Sequence, residues 1–195
     1  MRKLALVGYY NSARNGTLVI TTSLNEFTKE RPEYQKLRPL MYAARFGDTQ
    51  AVTLLLAHGA NINNPDGIGM TPLMIAIKMR QEAAVDVLLN AGADLKPIDS
   101  YGRAALNYAT FNATPAIVKK VAAKGADLNL QSPAGMHHGE TALMHAVQGG
   151  NIETLKAILT LGAKTSIRDA KGMNALNHAK KRGNKDMIAL LESAL

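Results

Sequence analysis

The chain has 195 residues, of which 47% are hydrophobic and 5% aromatic, and it contains neither cysteine nor tryptophan. Without cysteine it forms no disulfide and no thiolate metal site, and no run approaches the ~18 consecutive apolar residues of a membrane helix. The net charge of +8 lies at the two ends and in residues 100–134. Nucleic-acid binders more often gather their basic residues on one face.

Residues 1–37 lack the repeated pattern of the rest of the chain. Their basic tip, Met1-Arg2-Lys3, precedes an apolar run that ends at Gly8, short of the ~7–15 residues of a signal core. We therefore expect no signal peptide, which slightly favours a cytoplasmic protein; an exported or periplasmic protein with a missing signal is the alternative. Val19 and Ile20 fall roughly in phase with a helix of the later pattern, but Thr21-Thr22-Ser23 interrupts it.

From residue 38 onwards the chain repeats itself at a fixed spacing. Leucines recur with gaps of 33, 33, 37 and 33 residues, at Leu40, Leu73, Leu106, Leu143 and Leu176. Gly-Ala pairs keep the same phase, at 59–60, 92–93, 125–126 and 162–163. A unit of this length cannot bury its own apolar face and must stack on its neighbours, so the spacing predicts a solenoid.

The second unit shows what each repeat contains. Thr71 can cap a helix with its hydroxyl, and Pro72 at the next position lacks only an amide that would have no helical partner. A second helix follows and ends at Gly92, a residue that tolerates the left-handed conformation of a helix C-terminus. Residues 94–101 then lead into the next unit, which predicts a hairpin-like turn.

Units of 33 residues with Thr-Pro-Leu (71–73) and Leu-Leu-x-x-Gly-Ala-Asp (88–94) resemble ankyrin repeats. The resemblance implies an all-α, right-handed ankyrin-repeat solenoid over residues 38–195. Residues 1–37 are expected to be an N-terminal arm or a degenerate capping repeat, and these two alternatives are equal. Five repeats are expected, the last as a cap, at about 38–65, 66–98, 99–134, 135–168 and 169–195.

The chain also departs from the family pattern. The family commonly has histidine directly after the phased leucine, whereas this chain has Met41, Met74, Asn107, Met144 and Asn177. Ala104-Ala105 and Asn174-Ala175 replace Thr-Pro, which predicts looser helix starts. Four extra residues before repeat four predict a protruding hairpin at 131–139, either a recognition loop or a tolerated insertion.

The resemblance implies that a partner protein binds the hairpin tips and the ends of the first helices, which line a concave surface. Many of these positions hold aromatic, methionine or basic side chains, several of them types that are enriched in interfaces. Packing against the next hairpin is the alternative for Met70 and Ile98. The expected partner-binding residues are Arg45, Phe46, Met70, Lys78, Met79, Ile98, Tyr101, Arg103, Phe111, Asn112, Met136, His137 and His138.

No set of residues indicates catalysis, and we expect the protein not to be an enzyme. The chain has neither a strained nucleophile turn with an oxyanion site nor a phosphate-binding loop. His137 and His138 are adjacent and point apart, with only Glu140 nearby, which predicts no metal site. His145 and His178 occupy equivalent helix positions, which predicts a role in packing. Catalytic, cofactor-binding and metal-binding residues are all expected to be absent.

The expected function is therefore non-catalytic recognition of a partner protein with an acidic patch, by a chain that is monomeric alone and binds no membrane. One class is a dedicated inhibitor or immunity-type protein that masks an enzyme's active site. The other is an adaptor or scaffold for several partners. The first is favoured because no signalling or catalytic domain accompanies the repeats. Binding to nucleic acid rests on the basic pI alone and would require a steep dependence on salt.

Overall fold

The computed structural model describes residues 39–112, 114–133 and 135–194, so the expected arm or cap at 1–37 lies outside the described residues. Within these ranges the chain forms ten α-helices in five pairs and no strand, which confirms the all-α repeat fold. The pairs are α1 (Pro39–Phe46) and α2 (Thr49–Ala57), α3 (Pro72–Lys78) and α4 (Glu82–Asn90), α5 (Ala105–Asn112) and α6 (Pro115–Ala123), α7 (Ala142–Gly149) and α8 (Ile152–Thr160), and α9 (Ala175–Arg182) and α10 (Lys185–Glu192).

The helices form two layers. The first helices of successive pairs (α1, α3, α5, α7 and α9) pack on one another, and the second helices do the same behind them. An inner first helix is therefore covered on both sides and at its back, and every residue of α3 from Pro72 to Ile77 is buried, whereas α9, the last, buries only Ala175 and Ala179. A second helix buries one face only, which in α4 consists of Ala84, Val85, Leu88 and Leu89. None of the helices described is both long and apolar enough to cross a bilayer.

Helix starts follow the sequence signals. The hydroxyl of Thr71 accepts a hydrogen bond from the backbone N–H of Met74, and Pro72 is the first residue of α3, as expected. The starts of α5 and α9, which lack Thr-Pro, are capped by asparagine side chains. Asn107 accepts a hydrogen bond from the N–H of Ala104 at 2.9 Å, and Asn174 and Asn177 form a reciprocal capping box.

Left-handed residues end the helices. Gly92 has φ 84°, and the next N–H returns to the carbonyl of Leu88, which gives the predicted helix end. Between the two helices of a pair the chain makes another left-handed turn, at Gly47, Gly150 and Gly183. Arg80 occupies this position in the second repeat with φ 55°, a conformation that a side chain disfavours.

Candidate partner-binding surface

Four hairpins precede the first helices α3, α5, α7 and α9. In each, the first residue donates a backbone hydrogen bond to the carbonyl of the last: Asp66 to Met70, Asp99 to Arg103, Ser132 to Glu140, and Asp169 to Met173. Neighbouring hairpins touch. Ser100 donates to the carbonyl of Ile68 at 2.8 Å, and Gln131 donates to the carbonyls of Gly139 and Arg168. The four hairpins therefore form one continuous edge of the repeat domain.

The third hairpin is held by a buried carboxylate. One oxygen of Asp99 accepts the backbone N–H groups of Tyr101 and Arg103, both at 2.9 Å. The other oxygen accepts from the Tyr108 hydroxyl and from the Arg103 guanidinium, which lies between the Tyr101 and Tyr108 rings. Arg103 was expected to contact a partner, but these contacts hold it against its own hairpin. It therefore positions the exposed ring of Tyr101.

The same contacts shift two pKa values. Burial raises the pKa of Asp99, but the hydrogen bonds from Tyr108 and Arg103 and the Arg103 charge outweigh burial, so the net pKa is lowered. Burial and the bond to Asp99 raise the pKa of Tyr108 above its usual value. Asp99 is thus ionised and Tyr108 neutral near pH 7, and the hairpin keeps its conformation there.

Large hydrophobic side chains are exposed along the hairpin edge. Of the seven such residues in the described ranges, five belong to hairpins, their approaches or the end of a first helix, with 39–75% of their surface exposed. We call these five the exposed apolar row: Ile68, Ile98, Tyr101, Phe111 and Met136. Successive hairpins in the row are in contact, since a β-carbon at Gly135 would lie 3.3 Å from the Tyr101 carbonyl oxygen.

Met70 corrects the sequence prediction. It is only 3% exposed and belongs to the hydrophobic core, so its side chain does not face a partner as expected. The reason is its place as the closing residue of the hairpin, directly before the buried cap of α3. Met79 is half-buried against the core, and Phe46 is half-buried with its ring centroid 4.5 Å from that of Tyr42.

The other predicted residues fall into three groups. Lys78 and His138 are exposed, at the end of α3 and in the inserted hairpin. Arg45 is half-buried, and its carbonyl accepts a hydrogen bond from the Gln81 side chain at 3.2 Å. Asn112 ends α5, and its side chain is outside the part of the chain that the structure describes. Only part of the predicted set is thus available to a partner.

The inserted hairpin surrounds a second buried carboxylate, Glu140. Its Oε2 lies 2.7 Å from Nδ1 of His137, accepts a hydrogen bond from Gln148 at 3.0 Å, and lies 3.6 Å from Nε2 of His145. The expectation that no further histidine stands near His137 is therefore wrong. His145 comes close because it lies on α7, which starts two residues after Glu140 and turns this side chain back towards the hairpin.

A third carboxylate adjoins this group. Nε2 of His178 lies 2.8 Å from Asp169, so this histidine joins α9 to its own hairpin. One ligand atom each of Glu140, Asp169 and His178 lies within 4.8 Å of the others. Burial raises the pKa of Asp169, but bonds from its hairpin and from His178 lower it overall. Burial lowers the pKa of His145 to about 4, against the opposing Glu140 charge, so its ring is neutral at pH 7.

Sequence reasoning did not find these carboxylate groups. A signal was present, because Asp66, Asp99, Ser132 and Asp169 begin equivalent hairpins, and Tyr108, His145 and His178 share one helix position. The 37-residue gap hid the alignment, since it displaces Ser132 relative to the leucine that follows. Aligning the first and last residues of the hairpins would have shown that Glu140 occupies the position that Arg103 holds in the third hairpin.

The comparisons with known proteins agree with this architecture. The model of the family described as ankyrin repeats (3 copies) matches residues 10–99, 40–132 and 106–194. The comparison with curated proteins gave no match. Ankyrin repeats generally mediate protein–protein interaction and are typically non-catalytic. Because the matches together span residues 10–194, the chain belongs to the ankyrin-repeat family.

Proposed function

We propose that this protein binds one partner protein through the exposed apolar row and acts by covering a functional surface of that partner, as an inhibitor or immunity-type protein does. The observation that carries the proposal is that five of the seven exposed large hydrophobic side chains in the described ranges lie on the hairpins, on their approaches or near the end of α5. Exposed hydrophobic residues that gather on one side of a protein mark candidate interaction sites.

The row is also preorganised. The Arg103 guanidinium lies 4.7 Å from the centroid of the Tyr101 ring and is fixed by its ion pair with Asp99 at 3.1 Å. A side chain that is already held loses little conformational entropy on binding. Tyrosine is among the residue types that contribute most to binding energy at interfaces. Tyr101 is therefore the first residue to test.

Charge favours a protein partner over a nucleic acid. Lys120, in the basic third repeat, lies 2.8 Å from Asp86 of the neighbouring second helix, and Lys180 lies 3.0 Å from Glu192. These cations are partly neutralised within the protein, which weakens a continuous basic surface. Lys78 is exposed at the end of α3 and can meet an acidic patch on the partner. An adaptor with several partners is the second candidate, and it would need a second surface apart from the row.

The test compares alanine variants in the exposed apolar row with alanine variants on the second-helix layer. Partner proteins captured by the wild type are identified, and their affinities are measured for Tyr101→Ala and Phe111→Ala. The controls are Leu54→Ala and Leu161→Ala, which remove side chains of similar exposure from the second-helix layer. We expect each row variant to lose about 1–3 kcal/mol of binding energy and each control to lose less than about 0.5 kcal/mol.

The same experiment separates the alternatives. One-to-one binding that abolishes the partner's own activity supports a masking role. Simultaneous binding of two partners, only one of them sensitive to the row variants, supports an adaptor. Equal losses from the row and control variants would contradict the proposed surface. Binding of nucleic acid with a steep salt dependence would replace the proposal altogether.

A further inference from the structure

We propose that His137, Glu140 and His145 form a zinc-binding site that fastens the inserted hairpin to α7. The three residues come from the 3-10 turn Gly135–His137, the end of the hairpin and the interior of α7. One ligand atom from each lies within 4.8 Å of the other two. The proposal is independent of the exposed apolar row and of any partner protein.

The donor set and spacing suit zinc. Two imidazoles and one carboxylate are a common set of three protein ligands for Zn²⁺. Bonds of about 2.1 Å in tetrahedral geometry place the ligand atoms about 3.4 Å apart. The distances from Glu140 Oε2 are 2.7 Å to His137 and 3.6 Å to His145, so small side-chain movements would bring the ligands into place. A fourth position would be left for water or another ligand.

His145 gives the second line of evidence. It is 1% exposed, and its Nε2 has no hydrogen-bond partner among the described residues, although it faces Glu140. A buried polar atom without a partner is costly. The equivalent residues are satisfied, since Tyr108 donates to Asp99 and His178 contacts Asp169. A metal ion beside Glu140 would give His145 Nε2 the partner that its neighbours already have.

The balance of charge points the same way. Glu140 and Asp169 are both buried and lie close together, and no lysine or arginine within the described ranges forms an ion pair with either. By contrast, the carboxylate of Asp99 has the guanidinium of Arg103. Neighbouring buried carboxylates need compensating positive charge. A divalent cation bound to Glu140 would supply it, while Asp169 keeps its contact with His178.

The test measures zinc binding by the full chain free of any affinity tag. Chelator-treated protein is titrated with zinc sulfate in a calorimeter, and Co²⁺ is used as a second probe because its visible absorption reports tetrahedral coordination. The variants are His137→Ala and Glu140→Gln. The matched control is His138→Ala, which removes the exposed adjacent histidine that lies outside the group.

We expect one zinc ion per chain for the wild type and for His138→Ala, and a loss of affinity of at least about tenfold for His137→Ala and Glu140→Gln. The tetrahedral Co²⁺ bands should be lost in the same two variants. Absence of one-to-one binding in the wild type, or equal affinity in wild type and His137→Ala, would overturn the site. Equal losses from His137→Ala and His138→Ala would do so as well. His137 is half-buried on an inserted turn, so its variant remains informative if Glu140→Gln fails to fold.

Discussion

Gly149 lies directly against the backbone of Phe111. A β-carbon at residue 149 would be 2.5 Å from the Phe111 carbonyl oxygen and 3.1 Å from its Cα. The ends of α7 and α5 can approach this closely only because residue 149 has no side chain. The contact also fixes the place of Phe111 in the exposed apolar row, with its ring centroid 6.4 Å from that of His145.

The variant Gly149→Ala should therefore destabilise the protein. Alanine is favoured over glycine within a helix by up to about 1 kcal/mol, but the added methyl group meets backbone atoms that cannot rotate away. We expect the free energy of unfolding to fall by about 1–3 kcal/mol, measured by urea denaturation. The control is Gly67→Ala, where no atom lies within 4 Å of the new carbon and φ is not positive. Equal effects of the two variants would contradict the close contact.

Asp99 should make the free energy of unfolding decrease at low pH. Its folded pKa lies below the usual 3.8, so its contribution is complete above about pH 5 and is lost as pH falls through the folded pKa. Asp99→Asn should lower the free energy of unfolding at pH 7 by about 2–4 kcal/mol, because it removes the charge that Arg103 and two backbone N–H groups contact.

The measurement for Asp99 is chemical denaturation of both proteins at neutral pH and near pH 3. The difference between wild type and Asp99→Asn should shrink below about pH 3.8, because the unfolded carboxylate then binds a proton that the folded one resists. A difference that stays constant with pH would show that the lost packing, and not the charge, accounts for the effect.

Arg80 should carry measurable backbone strain. Its φ is 55°, and the equivalent left-handed positions at 47, 150 and 183 are glycines. A residue with a β-carbon is disfavoured in this conformation by about 1 kcal/mol. Arg80→Gly should therefore be more stable than Arg80→Ala by about 0.5–1 kcal/mol in thermal denaturation. Comparing these two variants removes the contribution of the arginine side chain. A more stable alanine variant would contradict a left-handed residue at this position.

A substitution at Lys96 can add a hydrogen bond between repeats that two equivalent positions already make. Asn63 accepts a hydrogen bond from the backbone N–H of Asp94, and Asn129 accepts the equivalent one from Lys164, at 2.8 and 2.9 Å. Lys96 occupies the equivalent place in the repeat between them. Lys96→Asn should accept from the N–H of Asp127 and add about 0.5–1.5 kcal/mol to the free energy of unfolding. Lys96→Ala serves as control, and a gain shared by both variants would exclude the new bond.

Much of the fold could be predicted because its signals are local and periodic. The phased leucines lie on the first helices, all but Leu176 buried, and the Thr71-Pro72 start and the Gly92 end are where the residue types require them. The caps of α5 and α9 were not foreseen, because a side chain one turn into the helix can also cap it. Asn107 and Asn177 perform this role.

The surface was predicted less well, because exposure depends on which way a hairpin residue turns. Tyr101 and Met70 both belong to hairpins, yet one side chain is exposed and the other enters the core. The Glu140 group depends on contacts between an insertion and a helix that no fixed spacing describes. Residues 137 and 145 are eight positions apart, and only the folded hairpin brings them together.

The inserted hairpin bears on how freely this array can be rearranged. Repeat four has Ser132 where repeat three has the aspartate, and Glu140 where repeat three has the arginine, and its neighbour contributes Asp169 beside them. If either repeat were replaced by a consensus unit, the remaining buried carboxylate, Glu140 or Asp169, would lose side chains that now lie beside it. The fourth and fifth units are thus best transplanted together, as one cassette, in any redesign that shortens, lengthens or shuffles the array.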